Sequence, residues 1–279
     1  MSDATKAGMV YLADILPGRH TSVVRELVAA LSASGLSSRL LPGTRDIWAR
    51  DYMPVPVPSG QLVRFRYAPD YLRAKKWQHL ITNATSVCQE LSLAAQESTL
   101  TIDGGNVVRG AGKVLLTDKV VRENPQISPS RLRRELARQL ETDHLILLPA
   151  DPVDFTGHAD GMLHFLDERT VLLNDYSQEK TAFWPQLRSA LYAAGLDWIP
   201  LAYNPYHNVS LTDAAGIYIN FLRTKHTIVA PVFGQHEDEA ALRQLERVFP
   251  THTIQPIQCR ELAREGGLLH CITWTAECE

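Results

Sequence analysis

Cys271 stands in the segment GGLLHCITW, behind two glycines that permit a tight turn or a close backbone approach. A thiolate is the strongest common side-chain nucleophile, and a buried cysteine also serves as a small hydrophobe. The segment alone admits both readings. The adjacent His270 does not decide between them, because successive residues of a strand point to opposite faces. A thiol–imidazole pair would need a histidine from elsewhere, and GHADG supplies one. His158 and Asp160 are two apart and flanked by Gly157 and Gly161, so on an extended strand both face one side. A surface turn with a satisfied histidine fits the same letters. A metal set of His158, Asp160 and His164 matches no strong zinc spacing. In WARDYMP, a regular strand would put Trp48 and Arg50 on one face and Asp51 on the other. An aromatic wall beside a cation site suits this composition, as does an ordinary Arg–Asp surface pair. Asp103, before two glycines in DGGNV, either caps a turn or presents its carboxylate at a strand end.

One substrate type would use all of these groups. A guanidinium is permanently charged near neutral pH and presents a planar fork of donors that carboxylates bind bidentately. Its central carbon is a poor electrophile for water. Chemistry there calls for two or more carboxylates, a thiolate and a proton donor for the departing amine. Asp51, Asp160 and Asp103, then Cys271, then His158 are the available set.

The elements that must gather them follow a pattern. Five segments each join an apolar run to a short polar or Gly-containing stretch, and often to a second apolar run. Their landmarks Asp51, Asp103, His158, Asn220 and Cys271 are separated by 52, 55, 62 and 51 residues. That is a degenerate repeat of one α/β unit. If the units close into a ring, the same point of each faces a common centre; a generic α/β domain with accidental spacing is the alternative. Helices are expected over 22–34, 130–141, 180–194 and 237–249, where apolar residues recur at the 3.6-residue period, and a weaker one over 78–96.

Composition bounds the class. The 279 residues are 45% hydrophobic, enough for a large core, and no linker divides them, so one domain spanning 1–279 is expected. A net charge of -3 argues against nonspecific nucleic-acid binding. There is no apolar run long enough for a membrane span and no secretory pattern at the start. Cys88, Cys259, Cys271 and Cys278 form no CxxC pair, which favours a reducing, cytoplasmic setting over a zinc or disulfide framework.

The motifs together resemble the agmatine deiminase and Porphyromonas-type peptidylarginine deiminase family, within the guanidino-group-modifying superfamily. The matching pieces, in order, are Trp48-Ala-Arg50-Asp51, Asp103-Gly-Gly, Gly157-His158-Ala-Asp160, Tyr218-Ile-Asn220-Phe221, Pro231 with Asp238, and Gly266-Gly267 leading to His270-Cys271-Ile-Thr273. The resemblance implies a five-bladed α/β propeller of pentein type with its site on the axis. It implies Cys271 as nucleophile and His158 as proton carrier. It implies Asp51 and Asp160 as guanidinium ligands, with Trp48, Asp103 and Asn220 lining the substrate site. No cofactor and no metal are expected; the expected partner is a small guanidino compound or an arginine side chain in a peptide. The expected reaction is hydrolysis of the guanidinium to a ureido product and ammonia. Amidino transfer, a related guanidine hydrolase and a noncatalytic guanidine-binding protein are the alternatives. Asp103 stands where agmatine deiminases carry glutamate. The first unit is trimmed, beginning near Met9. The substrate tail, the oligomeric state and any role of Cys88, Cys259 and Cys278 are not legible.

Overall fold

A computed structural model describes residues 8–206 and 208–277; Cys278 lies outside the described residues. Short apolar runs, each stopped by a turn residue before reaching helical length, form β-strands. Fifteen occur among the described residues: β1 (Met9–Ala13), β2 (Ser37–Leu41), β3 (Val55–Pro56), β4 (Leu62–Arg66), β5 (Gln96–Thr101), β6 (Val108–Gly110), β7 (Lys113–Thr117), β8 (His144–Leu148), β9 (Leu163–Phe165), β10 (Thr170–Asn174), β11 (Asp197–Leu201), β12 (Leu222–Arg223), β13 (Thr227–Val232), β14 (Thr253–Gln258) and β15 (Thr273–Trp274). They make five three-stranded sheets, ordered β15-β1-β2, β3-β4-β5, β6-β7-β8, β9-β10-β11 and β12-β13-β14.

Every sheet repeats one plan. The middle strand runs antiparallel to a short first strand and parallel to a third. Parallel neighbours require a crossover, and a helix supplies it in each case. The five are Thr21–Ala33, Ala84–Glu90, Pro129–Gln139, Phe183–Ala193 and Glu237–Val248. The result is the expected five-bladed α/β propeller with a pseudo-fivefold arrangement. Middle strands such as β7, β10 and β13 are almost wholly buried, whereas β2 and β11, at sheet edges, expose most of their residues. Pro200 and Pro256 sit in such edge strands, where a missing N–H is tolerated.

The apolar stripes expected from the sequence are the ones that pack. Val23, Leu27, Ala30 and Leu31 are buried on the first helix, Leu132 and Leu136 on the third, Phe183, Leu187 and Leu191 on the fourth, Ala241 and Leu245 on the fifth. The expected helix over 78–96 is much shorter. A 3-10 segment occupies Lys75–Leu80, and Asn83 caps the α-helix Ala84–Glu90 by accepting from the N–H groups of Thr85 and Ser86. Ser92 then takes a positive φ of 53°, and the chain enters β5 at Gln96. The asparagine cap and the turn at Ser92 override the loose periodicity across them.

The five segments read from the sequence span blade junctions and not blades. Each starts in the third strand of one sheet and crosses to the next sheet. The five landmarks all sit on these crossings. The ring closes through the chain ends: β15 pairs with β1, Tyr11 opposite Trp274 and Leu12 opposite Thr273. Trp274 is 1% exposed, packs on Tyr11 at 5.2 Å between ring centres, and donates its indole N–H to the Pro54 carbonyl at 2.8 Å. It therefore ties the closing strand to the next blade as well. Trp274→Ala should cost about 3–5 kcal/mol in chemical denaturation, as for other large-to-small changes in packed cores. A loss below about 1 kcal/mol would show that closure does not depend on this side chain.

Candidate active site

Three local turns place the central side chains, and in each the expected strand is absent. Ala49–Tyr52 is a single helical turn. Its Asp51 side chain accepts from the Gly105 N–H at 3.0 Å, while the Arg50 N–H donates to the Cys271 carbonyl at 3.1 Å. His158 precedes a 3-10 turn over Ala159–Gly161, so His158 and Asp160 converge through a turn and not through strand alternation. Residues 269–272 also form a turn, with the Ile272 N–H donating to the Leu268 carbonyl at 3.2 Å. In that turn His270 and Cys271 do not oppose each other. His270 Nδ1 lies 2.8 Å, and Cys271 Sγ 3.8 Å, from the same atom, Asp160 Oδ2.

Gly105 marks the centre. A methyl group there would stand 2.6 Å from Asp51 Oδ1, 2.8 Å from His158 Nδ1 and 3.0 Å from Asp160 Oδ2. Only a residue without a side chain lets these three groups surround one point. Gly104 is required for a different reason, since its Cβ would fall 2.0 Å from the Arg50 carbonyl oxygen. The Asp-Gly-Gly letters thus encode two separate close approaches.

Around that point the charges form a chain. His158 Nδ1 lies 3.5 Å from Asp51 Oδ1, and His158 Nε2 lies 3.0 Å from Asp103 Oδ2. The same Asp103 oxygen accepts from Lys119 Nζ at 2.7 Å. Lys119 is 1% exposed, reaches Glu123 at 3.4 Å and Asp70 at 3.7 Å, and lies under the Tyr71 ring. Asp103 Oδ2 therefore faces two cations of the protein itself, while its Oδ1 is buried without a hydrogen-bond partner. Asn220 accepts the Cys271 N–H at 3.3 Å and its amide donates to the Asp160 carbonyl at 3.5 Å. Trp48 is half-buried, its indole carbons pressed so closely on Gly267 that a Cβ there would be 2.5 Å away. His164 does not join His158 and Asp160; it stacks on Phe221 at 4.6 Å.

Burial dominates the titration of the cluster and neighbours then divide it. Burial pushes Asp51 up to about 7; His158 opposes this, while Asp103 and Asp160 add to it. Asp160 is also penalised by burial, yet the His270 hydrogen bond and the charges of His270, His158 and Arg50 hold it below the usual carboxylate range. Asp103 is held low against burial by His158 and Lys119. His158 is penalised as a cation by burial and by Lys119, but Asp51 and Asp103 raise it to about 9. Burial, Asp160 and Asp51 push the Cys271 thiol well above its ordinary value. At neutral pH the pair is an imidazolium and a thiol.

A narrow cavity of about 30 Å³ reaches Cys271, Asp160 and Asn220 past Phe155 and Gly267. Asp154 and Asp213 also line it, and none of its described lining residues is basic. Nothing in the sequence marks Lys119 or Phe155 for the site, whereas Arg50 and Gly105 stand in the segments WARDYMP and DGGNV.

The five-sheet ring with cysteine, histidine and carboxylates on its axis is the architecture of the pentein enzymes. The chain belongs to the Porphyromonas-type peptidyl-arginine deiminase family, whose model matches residues 18–276. It is 31% identical over 208 residues to an agmatine deiminase of Stutzerimonas stutzeri, covering 62% of this chain and 56% of that protein. The alignments span 56% to 61% of the length of the first curated relatives it matches. Among solved structures, the C. jejuni agmatine deiminase superposes with a TM-score of 0.76 at 18% identity, over 98% of this chain and 94% of that one. The agmatine deiminase of Enterococcus faecalis gives 0.72 at 18% identity, over 95% and 92%.

Lys119→Met removes a cation that opposes the His158 imidazolium and leaves Asp103 and Glu123 without it. The His158 titration, followed by NMR of the ring protons, should then shift upward from about 9. The melting temperature should fall as well, because a buried pair has lost one partner. An unchanged or lower titration midpoint would contradict this arrangement.

Proposed function

We propose that the chain is a cysteine-dependent deiminase that hydrolyses the guanidinium of an arginine-like or agmatine-like compound to a ureido product and ammonia. The observation that carries the reading is the disposition about Gly105: two carboxylates and an imidazolium surround one point, and a thiol lies 3.8 Å from one of those carboxylates. The activity named for its relatives supports the same reaction. Chemically, Asp51 and Asp160 are suited to hold the planar cation, with Trp48 and Asn220 bordering it. Asp103, engaged by Lys119 and His158, acts on the substrate through His158. The aspartates Asp154 and Asp213 that line the cavity favour a tail that is neutral or cationic over one that ends in a carboxylate.

Bound guanidinium neutralises the two carboxylates that suppress the Cys271 thiolate, and its own charge favours ionisation of the thiol, whose proton passes to solvent and returns to the sulfur from solvent when the product leaves. Sγ then bonds to the guanidinium carbon. The His158 imidazolium passes its proton to the departing nitrogen, the C–N bond breaks, and ammonia leaves an S-linked thiouronium. Neutral His158 takes a proton from water while the oxygen bonds to the same carbon. Collapse breaks the C–S bond, returns the thiolate and releases the ureido product. The proton lost from the adduct hydroxyl balances conversion of ammonia to ammonium. A reducing, cytoplasmic setting would keep the thiol available, and the catalytic unit is taken as one domain spanning 1–279.

Cys271→Ser should fold normally and lose ammonia release by at least about 10³-fold, the scale seen when a covalent nucleophile is removed. Wild-type protein given agmatine, free arginine or a blocked peptidyl arginine, with no acceptor amine, should release ammonia and ureido product in equal amounts from at least one. Turnover that requires an added amine would establish amidino transfer instead. Near-normal turnover by Cys271→Ser would end the proposal.

Binding should also depend on pH. Asp51 titrates at about 7 in the free protein and must be ionised to hold the cation. Below about pH 7 the dissociation constant of agmatine for Cys271→Ser should therefore rise toward tenfold per pH unit. His158 stays protonated across that range. Calorimetric dissociation constants that agree at about pH 5.5 and about pH 7.5 would remove Asp51 from the binding role.

A further inference from the structure

His270 is buried beside the nucleophile and has no part in the reaction as proposed. Its Nδ1 lies 2.8 Å from Asp160 Oδ2, across 110 residues of sequence, and both side chains are buried. An ionised carboxylate only accepts, so the imidazole presents its N–H at Nδ1. The main chain of His270 is held as well, and its ring meets a second ring. Its backbone N–H donates to the Asn220 carbonyl at 3.2 Å, and its carbonyl accepts from Thr273 Oγ1 at 3.1 Å. The His164 ring meets it edge-on, with 5.3 Å between centres and 88° between planes. His164 is held in turn by stacking on Phe221, the neighbour of Asn220.

We infer that His270 is a positioning residue: it fixes Asp160 in the orientation that receives the guanidinium, and His164 fixes the His270 ring. A carboxylate on a single Cα–Cβ stem rotates freely unless one oxygen is held. Left free, Asp160 would turn among His158, Arg50 and the Cys271 thiol, the other groups that act on it. The dipeptide His270-Cys271 thus sets both partners of the reacting carbon. One residue carries the nucleophile, the other aims the carboxylate, and Asn220 anchors the backbone of both.

This assignment rests on the deiminase reading for its kinetic readout, so the test includes one that does not. His270→Phe keeps a ring but removes the donor, whereas His270→Asn places an amide N–H close to the position of Nδ1. Loss of a hydrogen bond to a charged group is expected to raise KM about tenfold or more in His270→Phe, with a smaller change in kcat. His270→Asn should return KM to within about threefold of wild type. A variant that merely lowers the folded fraction would reduce kcat and leave KM alone. Independently of turnover, carbon-detected NMR of the Asp160 carboxyl should show its titration moved upward in His270→Phe and restored in His270→Asn. His164→Phe should produce a smaller change of the same sign; His164 borders a cavity of about 550 Å³, which leaves room for the larger ring. Wild-type KM in His270→Phe, equal impairment by Phe and Asn, or an unmoved Asp160 titration would each overturn the assignment. If wild-type protein turns over no guanidine, the deiminase reading falls, and the carboxyl titration still decides whether His270 holds Asp160.

Discussion

Three carboxylates buried around one histidine are costly to assemble, and the surrounding structure is organised to meet that cost. An ionised group removed from water needs a partner or it gives up its charge. Asp103 has Lys119 and His158. Asp160 has His270, with His158 and Arg50 nearby. Asp51 has the least help: Gly105 gives it one N–H and His158 lies at 3.5 Å, so burial carries it up to about 7. The resting cluster is short of roughly one positive charge at the point where a ligand would meet Asp51 and Asp160. A guanidinium supplies that charge in a planar form that two carboxylates can share.

Convergence of such distant residues follows from the ring. Each junction between blades sends one short turn to the axis, and each turn brings one or two polar side chains. The fifth junction differs, because it runs directly into β15, the strand that closes the ring against β1. Cys271 is only two residues from Thr273, whose partner in the sheet is Leu12. Closure of the fold and delivery of the thiol are therefore one event. A chain whose ends had not paired would carry Asp51, Asp103 and His158 on their turns but would lack the sulfur.

Much of this was legible in the sequence. Helical stripes such as Val23-Leu27-Ala30-Leu31 survive as packing faces because burial selects the 3.6-residue period. The five landmarks were found by spacing, because each blade needs nearly the same length of chain. The local geometry of the landmarks was not legible. Strand alternation is the plain reading of Arg50 with Asp51, His158 with Asp160 and His270 with Cys271, yet the first and last pairs lie in turns and His158 is extended just before one. A stretch as short as the three residues between Gly157 and Gly161 carries no period, so the rule has nothing to act on. Lys119 lies outside every segment whose pattern points to chemistry. Its burial is set by residues 70 and 71, which cross above it, and by Asp103 and Glu123 below, none of which its sequence neighbourhood reveals. Gly105 was legible as conformational freedom, but its requirement is space among three side chains.

The same electrostatics sets the protonation of the resting site. Burial together with Asp160 and Asp51 keeps Cys271 as a thiol, while Asp51 and Asp103 keep His158 protonated. An ion pair between the two is not favoured, because the carboxylates speak for the imidazolium and against the thiolate at once. In the proposed reaction a cation reverses only half of this. It satisfies Asp51 and Asp160, so their repulsion of a thiolate ends, while Asp103 still sustains the His158 proton from the far side of the ring. Sulfur is then activated without loss of the proton that the departing amine requires. A neutral ligand of the same shape leaves the carboxylates unpaired and the thiol protonated. Under the proposed mechanism, selection for charge would operate in the chemical step as well as in binding. In that reaction the engagement of Asp103 Oδ2 by Lys119 would keep one carboxylate outside the exchange.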